Sequence, residues 1–286
     1  MTPDVFAAHR PRLLGAAYAI LGERAEAEDV VQDAWVRWQG TDQAEVRNAE
    51  AFLVTTVTRL AIDRLRLART RRETYVGTWL PDPLVCEPDD PEALAIEAER
   101  LSLALLVALE RLNPVERAVL VLRDVFDMEY AAIADALDIS PANARQVAKR
   151  ARDRVGDTSR GRPVDPEEQR RLTVAFLIAC QRGDVEALRS LLAADAIQYS
   201  DGGGVSGVAR KPIYGAEKIA RFYANVQRIG GIPSDLVAEP VLVNGELGVR
   251  LVSPTSGPWA ITQLQVADGR ILAIRNFVNP ERFAQL

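Results

Sequence analysis

Apolar residues recur at helical spacing through the first quarter of the chain. The pattern is visible in "VFAAHRPRLLGAAYAIL", in "AEDVVQDAWVRW" and in "AEAFLVTTVTRLAIDRLRLA". Apolar positions at i, i+3, i+4 and i+7 are typical of amphipathic helices that bury one face. Residues 4–75 are therefore predicted to be helical, and we assign residues 1–75 to a first all-α domain.

Two proline-containing segments interrupt this helical pattern. The stretch "WLPDPLVCEPDDPEA" holds four prolines, a density that no helix tolerates, so residues 76–92 are predicted to form a linker. A second helical block follows over residues 93–156, in which Asn113-Pro114 and Ser140-Pro141 each combine a capping residue with a proline suited to the first turn. Residues 157–166 are predicted to be a second linker.

The last third of the chain adds strand signals to helical ones. Helical patterns in "EEQRRLTVAFLIACQR" and "DVEALRSLLAA" come first, and two apolar stretches with central turns come later. Asn244-Gly245 and Asp268-Gly269 are pairs that favour the type I′ turns of β-hairpins. Residues 167–286 are therefore predicted to form an α+β domain with helices against one curved sheet. The predicted fold class is multidomain, with two all-α domains followed by an α+β domain.

The end of the second helical block carries a helix-turn-helix pattern. The amphipathic "EYAAIADALDIS" is followed after a short turn by the basic "PANARQVAKRARDRV". The second helix of this motif lies in the DNA major groove, where its early polar residues reach base edges and later arginines contact phosphates. A solvated basic helix face is the alternative. The candidate DNA-binding residues are Asn143, Arg145, Gln146, Lys149, Arg150, Arg152 and Arg154.

Composition limits the other possibilities. The formal charge of −5 is compatible with nucleic-acid binding only because the basic residues are locally clustered. A single histidine, His9, excludes a multi-histidine metal site and most Ser-His catalysis, so no metal, cofactor or catalytic residue is predicted. Two separated cysteines and the lack of a long apolar run favour a cytoplasmic protein without a membrane span.

The first helical block offers one acidic helix and one basic helix. The acidic helix contains an aromatic side chain as well, and we expect it to bind a basic protein surface. The basic helix has six arginines against one aspartate over residues 59–72, which favours nucleic acid. The acidic helix presents Glu28, Asp29, Gln32, Asp33 and Trp35.

Together these motifs resemble the extracytoplasmic-function class of bacterial sigma factors. "AEDVVQDAWVRW" is similar to the region-2 helix that grips the polymerase clamp, and the helix-turn-helix is similar to region 4, which reads the minus-thirty-five element. The resemblance implies two partners, promoter DNA and core RNA polymerase, the latter through its β′ clamp and β flap. It also implies that the minus-ten element is read by Arg47, Asn48, Arg59, Asp63, Arg64 and Arg66.

Two of these assignments keep an alternative. The loop that contains Arg47 and Asn48 is equally consistent with an ordinary polar surface loop. Many members of the wider class have Asn where this chain has Arg59, which leaves the base preference at that position open.

The remainder of the chain resembles the SnoaL-like extension that a subgroup of these sigma factors carries. "WLPDP", "DGGG" and "NPERF" are the matching motifs, and Val205 stands where the subgroup often has Lys. The resemblance implies a fused regulator that contacts the linker, so that no separate anti-sigma factor is required. The implied regulatory residues are Trp79, Leu80, Pro81, Asp201, Gly202, Gly203, Asn279, Pro280 and Glu281.

The alternatives for this last domain differ in class. The tryptophan of "WLPDP" could pack on its own domain, "DGGG" could be an ordinary turn and "NPERF" a plain strand end. A cone-shaped pocket could also hold an unknown small ligand. The whole chain would then be a conventional ligand-sensing helix-turn-helix regulator, or the domain would be a SnoaL-like isomerase or cyclase.

Overall fold

The computed structural model describes residues 3–86, 101–156, 165–205 and 207–283. The chain divides into two compact units. The first unit combines Met1–Glu73 with Leu94–Arg160, and the second combines Thr74–Ala93 with Gly161–Leu286. The "WLPDP" segment therefore groups with the C-terminal residues, and both helical blocks share one unit.

Three helices form the first block of the first unit. Asn48 caps the third helix, since its side-chain oxygen accepts a hydrogen bond from the backbone N–H of Ala51 at 3.0 Å. Leu13, Val30 and Leu53, one from each helix, are fully buried in the shared core. The helices are α1 (Pro3–Leu21), α2 (Arg24–Gln39) and α3 (Ala49–Glu73).

In the described part of the second block, residues 101–156, there are four helices and one π-helical turn. At Asn113 the side chain accepts from the N–H of Glu116, whose carboxylate accepts from the N–H of Asn113, a complete capping box. Asp138 adopts the left-handed conformation at φ 56° and ends the first helix of the helix-turn-helix. The elements are α4 (Leu103–Leu109), α5 (Pro114–Leu120), the π-helical turn Val121–Val125, α6 (Tyr130–Leu137) and α7 (Pro141–Val155).

A buried arginine network joins the two blocks of the first unit. Arg117 is 1% exposed, donates to the carbonyl of Ala19 at 2.9 Å and contacts the carboxylate of Glu110. Arg72 binds the other oxygen of Glu110 at 3.0 Å and also donates to the carbonyl of Leu21 at 2.6 Å. Burial lowers the pKa of Arg117, and the carboxylate of Glu110 opposes that effect. One carboxylate therefore holds two arginines that come from different blocks.

The second unit is an α+β domain, as the sequence predicted, and its sheet is mixed. Its helices are α8 (Pro166–Arg182), α9 (Val185–Leu191), α10 (Ala216–Arg228) and the short α11 (Pro280–Phe283). Its strands are β1 (Val85–Cys86), β2 (Leu192–Asp201), β3 (Ile213–Tyr214), β4 (Val237–Val243), β5 (Glu246–Ser253), β6 (Gly257–Ala267) and β7 (Arg270–Phe277). The order of the described strands is β1-β4-β5-β6-β7-β2-β3; β2 and β7 pair in parallel, and the other neighbours among these strands are antiparallel.

Both predicted hairpin turns are present in this sheet. Asn244 and Gly245 have φ of 50° and 77°, and Asp268 and Gly269 have φ of 50° and 69°. Positive φ at both central residues is the requirement of a type I′ turn. The two turns connect β4 to β5 and β6 to β7, and they fix the register of the antiparallel part of the sheet.

The helices α8 and α10 pack against one face of this sheet. Phe176 and Tyr223 meet edge to face with ring centroids 5.2 Å apart. The hydroxyl oxygen of Tyr223 accepts from the side-chain amide of Asn276 at 2.8 Å, and the hydroxyl of Thr262 donates to the same amide group at 3.0 Å. Gln198 on the neighbouring strand is fully buried. The core thus combines an apolar centre with a short row of polar groups.

Candidate linker, promoter and polymerase sites

The "WLPDP" segment is a buried part of the second unit. Leu80, Pro81, Asp82 and Pro83 are all buried, and Leu80 is only 1% exposed. The segment then continues into β1, which adds two residues to the outer edge of β4. Prolines keep such a segment extended, so its apolar side chains can only be buried against another part of the chain.

Asp201 at the end of β2 is the acceptor around which this segment is held. One carboxylate oxygen accepts from the hydroxyl of Tyr75, and the other accepts from the backbone N–H of Leu80 at 3.1 Å and contacts the guanidinium of Arg282. Burial raises the pKa of Asp201, and the charge of Arg282 and these hydrogen bonds counteract part of that rise. A carboxylate is costly to bury unless hydrogen-bond donors satisfy it, so these three donors and Asp201 hold one another in place.

Arg282, in the helical turn α11, makes the reciprocal set of contacts. Its guanidinium donates to the carbonyl of Leu80 at 2.7 Å, pairs with Asp82 and lies 5.3 Å from the ring centroid of Trp79. Burial opposes its charge, yet the carboxylates of Asp201 and Asp82 raise the pKa of Arg282 above its usual value. One arginine near the C-terminus therefore binds backbone, carboxylate and aromatic ring of the "WLPDP" segment.

Asn279 connects the same site to the "DGGG" turn. Its side-chain amide donates to the hydroxyl of Tyr75 at 3.0 Å, and its backbone N–H donates to the carbonyl of Asp201 at 3.1 Å. Gly203 has φ of 54°, and a Cβ at this residue would lie 2.6 Å from Cγ of Asn279. A side chain at Gly203 would therefore strain the backbone and displace Asn279.

We call this set of contacts the linker clamp, and it consists of Tyr75, Trp79, Leu80, Asp82, Asp201, Asn279 and Arg282. Of the residues predicted from the three motifs, Trp79, Leu80, Asp201 and Asn279 belong to it, while Pro81, Gly202 and Gly203 are adjacent. Pro280 and Glu281 are exposed, and the backbone N–H of Glu281 donates to the side chain of Asn279 at 3.0 Å.

Sequence reasoning missed Tyr75, Asp82 and Arg282. Asp82 and Arg282 lie within the quoted motifs, Tyr75 lies four positions before "WLPDP", and the signal that could have found Asp82 and Arg282 was charge. An arginine in "NPERF" and two aspartates, one in "WLPDP" and one in "DGGG", are complementary. The motif pattern alone did not show that they meet.

The recognition helix α7 has two kinds of basic residue. Within the described part of the chain, the side chains of Asn143, Gln146, Lys149 and Arg150 are exposed and make no ion pair or side-chain hydrogen bond. Among the described residues Arg145 also makes no ion pair or side-chain hydrogen bond, and its guanidinium lies 5.5 Å from the ring centroid of Tyr130. The other two predicted phosphate contacts are engaged inside the unit instead. Arg152 pairs with Asp124 and Arg154 with Glu116.

The predicted minus-ten residues are also divided. Arg47 and Asn48 are exposed, and Asn48 caps α3. Arg59 donates to the carbonyl of Ala136 at 2.7 Å, at the C-terminal end of α6, where the unpaired carbonyls carry partial negative charge. The remaining three residues form ion pairs, Arg66 with Asp63 and Arg64 with acids of α2.

Acidic side chains line the exposed face of α2, the helix for which the sequence predicts a polymerase contact. Glu28 pairs with Arg24 at 3.1 Å, and Asp33 pairs with Arg64 at 3.3 Å. Arg64 also lies 3.7 Å from Asp29. Gln32 is exposed, and the Trp35 ring packs on Phe6 with centroids 4.9 Å apart. This face thus retains acidic and polar groups beside an aromatic ring.

Several polar groups are buried inside the second unit, among them Gln198 and the hydroxyl-bearing Tyr223. Burial raises the pKa of Tyr223 far above its usual value, so its hydroxyl stays protonated. Among the described residues no cluster of three or more His, Cys, Asp or Glu side chains could hold a metal ion. No helix in those residues is both long and apolar enough to cross a bilayer.

Comparison with known proteins identifies the class. The Sigma-70 region 2 family matches residues 5–71, and the Sigma-70 region 4 family matches residues 102–155. The first of these matches contains the acidic α2 and the basic α3, and the second contains the helix-turn-helix. The two helical blocks therefore match region 2 and region 4 of sigma-70-type transcription initiation factors.

Full-length relatives narrow this class to one family. The ECF RNA polymerase sigma factor SigJ of Mycobacterium tuberculosis is 38% identical over 99% of this chain and 93% of its own length. Its crystal structure superposes with a TM-score of 0.78 at 36% identity, covering 99% of this chain and 98% of that one. A probable ECF sigma factor, SigI of the same organism, is 33% identical over 65% of this chain and 64% of its own. The chain belongs to the extracytoplasmic-function RNA polymerase sigma factors, which bind core polymerase and promoter DNA to initiate transcription and are not enzymes.

Proposed function

We propose that this sigma factor is regulated by its own C-terminal domain, which holds the inter-region linker in the linker clamp. The main support is the ion pair between the buried Asp201 and the partly buried Arg282, which together bind the backbone N–H and C=O of Leu80. Contacts to backbone groups and to a carboxylate of the linker restrain its path. In this proposal the clamp replaces a separate anti-sigma factor.

For the rest of the chain we propose the function of each region that the sequence predicted. Residues 1–75 bind the β′ clamp through α2 and the minus-ten element through α3 and its preceding loop. Residues 76–92 are the regulated linker, residues 93–156 read minus-thirty-five and contact the β flap, residues 157–166 are a second linker, and residues 167–286 regulate. The exposed residues Asn143, Gln146, Lys149 and Arg150 support this role for α7, because free donors are what base edges and phosphates require.

Fewer exposed residues support the minus-ten assignment than support the minus-thirty-five assignment of α7. Arg47 and Asn48 are available in the loop before α3, and exposed polar loops can track a melted strand. Arg59 and Arg64 would have to exchange their present partners, a helix end and acids of α2, for DNA. We therefore propose that the loop makes the first contact and that the arginines of α3 follow.

Run-off transcription with core polymerase tests both parts of the proposal, promoter-directed initiation and regulation by the linker clamp. The matched variants are Arg282→Met, which removes the charge from the clamp, and Arg171→Met, which removes an exposed charge from α8 of the same unit. We expect R282M to change transcript yield per holoenzyme and R171M to leave it unchanged. Equal yields from both variants and the unaltered chain would refute regulation by the clamp.

The same assay distinguishes the sigma-factor function from a conventional regulator. A ligand-sensing helix-turn-helix regulator would bind its operator tightly without polymerase, as a dimer on a palindrome. A sigma factor is expected to form a stable promoter complex only with core polymerase present. Tight promoter binding by the chain alone, with no transcript from the reconstituted enzyme, would support the regulator instead.

A further inference from the structure

One tyrosine at the start of the helix-turn-helix contacts three arginines. Tyr130 is the first residue of α6, and its ring centroid lies 5.2 Å from the guanidinium of Arg123 and 5.5 Å from that of Arg145. Its hydroxyl lies 3.4 Å from two nitrogens of the Arg152 guanidinium. Tyr130 is half-buried, so the ring is fixed by the unit while one part remains at its surface.

The two recognition-helix arginines at this ring have different surroundings. Arg152 binds Asp124 through both sides of its fork, with one of the two contacts at 2.9 Å, so its donors are largely occupied. Arg145 lies two helical turns earlier on α7 and, within the described residues, makes no ion pair or hydrogen bond beside its contact with the ring. A contact over an aromatic face leaves the N–H donors of a guanidinium free, whereas an ion pair with a carboxylate occupies them.

We propose that Tyr130 is a positioning residue that orders Arg145 for reading a base of the minus-thirty-five element, and that Asp124 and Arg152 brace the tyrosine. A long arginine side chain loses rotamer freedom when it binds a base edge. The ring of Tyr130 already restricts the rotamers of the Arg145 side chain, so less rotamer freedom is lost when that side chain binds the base. Arg152 is then part of this support and not a phosphate contact.

This proposal rests on the proposed promoter-reading role of α7, and the experiment separates the two. Holoenzyme made from core polymerase and the full chain transcribes a template library with a randomised minus-thirty-five element upstream of a fixed minus-ten element. Sequencing of the transcribed templates gives the base preference at each position. The chains compared are the unaltered one, Tyr130→Phe, Tyr130→Leu, Arg145→Ala and the double variant Y130L/R145A.

The expected pattern is specific to positioning. R145A should lose the preference at one base position, and Y130L should weaken that same preference about two- to five-fold, the size of an exposed cation–π contact. Y130F, which keeps the ring, should retain the preference, and the double variant should match R145A. A merely structural role for the tyrosine would instead weaken all positions together and would persist in the R145A background.

Several results would overturn the proposal. These are an unchanged preference in Y130L, an unchanged preference in R145A, or an equal further loss when Y130L is added to R145A. No transcript from the unaltered chain would refute the proposed function itself. If Y130L does not fold, nuclear magnetic resonance of arginine-labelled unaltered chain decides. Side-chain signals of Arg145, assigned by their absence in R145A, should be shifted upfield by the ring, and random-coil positions would contradict the placement.

Discussion

Arg282→Met is the perturbation for which the clamp makes the sharpest prediction. Methionine keeps the apolar bulk beneath Trp79 but removes the charge that Asp201 and Asp82 share. Removing one partner of a buried ion pair leaves the other charge uncompensated, which costs about 3–5 kcal/mol. Since every 1.4 kcal/mol is a factor of about ten, the ratio of docked to undocked linker should fall at least about 100-fold.

The effect should also depend on pH in a defined direction. Burial already raises the pKa of Asp201, and loss of Arg282 removes the main charge that opposes the rise. When docking raises the pKa of a carboxyl, the protonated form favours the docked state. Docking therefore becomes weaker as the pH increases from the pKa of this carboxyl in the undocked state to its pKa in the docked state. Docking of the R282M linker should therefore be strongest in acid, where Asp201 is protonated, and should decline toward neutral pH.

Hydrogen exchange followed by mass spectrometry measures this docking directly. The amide of Leu80, bonded to Asp201, and the amide of Leu84, bonded to the side chain of Asn244 at 3.1 Å, report on the linker. Both should exchange faster in R282M after correction for intrinsic rates, and Arg171→Met should exchange like the unaltered chain. Linker amides that stay equally protected in R282M would refute the argument that the ion pair holds the segment.

Three further predictions concern the clamp and the first unit. Burial and the bond to Asp201 raise the pKa of Tyr75 to about 12. The protonated hydroxyl therefore stabilises the docked linker fully below pH ~10, the pKa of a free tyrosine, and this stabilisation is lost as the pH rises through ~12. Ultraviolet titration of tyrosinate should therefore show one fewer group near pH 12 in Tyr75→Phe. Gly203→Ala, which adds a clash to the strain of φ 54°, should lower the urea midpoint more than Gly257→Ala, whose Cβ meets nothing within 4 Å. Glu110→Ala leaves the buried Arg117 without its carboxylate, and urea unfolding should show a loss of about 3–5 kcal/mol.

Local patterns predicted most elements of the fold. The helices α1 to α3, the helix-turn-helix and both hairpins follow from periodicity, caps and turn residues, and those signals lie within a few neighbouring positions. The strand β1 was not predicted, because a two-residue strand in a proline-rich segment has no pattern of its own. It exists only because Leu84 and Val85 meet the distant β4 edge.

Charge counting was less informative about the sites. Arg64 and Arg152 were assigned to DNA because they belong to basic runs, yet each pairs with carboxylates brought near by the fold. The partners of Arg152 and Arg64 lie 28 and 38 positions away in sequence, and those of Arg282 lie 81 and 200 positions away. A sequence shows which residues are charged but not which of them meet in the fold. It therefore cannot distinguish an arginine that is available for DNA from one that is paired with a carboxylate.

The short strand β1 has a consequence for the solubility of the protein when the linker is undocked. While the linker is docked, it covers the part of the β4 edge at Leu242 and Val243. The neighbouring Pro240 has no N–H and already blunts the next part of this edge. Release of the linker would uncover unpaired backbone groups that can recruit a strand from another molecule. If regulation releases the linker, this release and protection from self-association are opposing demands on the two residues of β1.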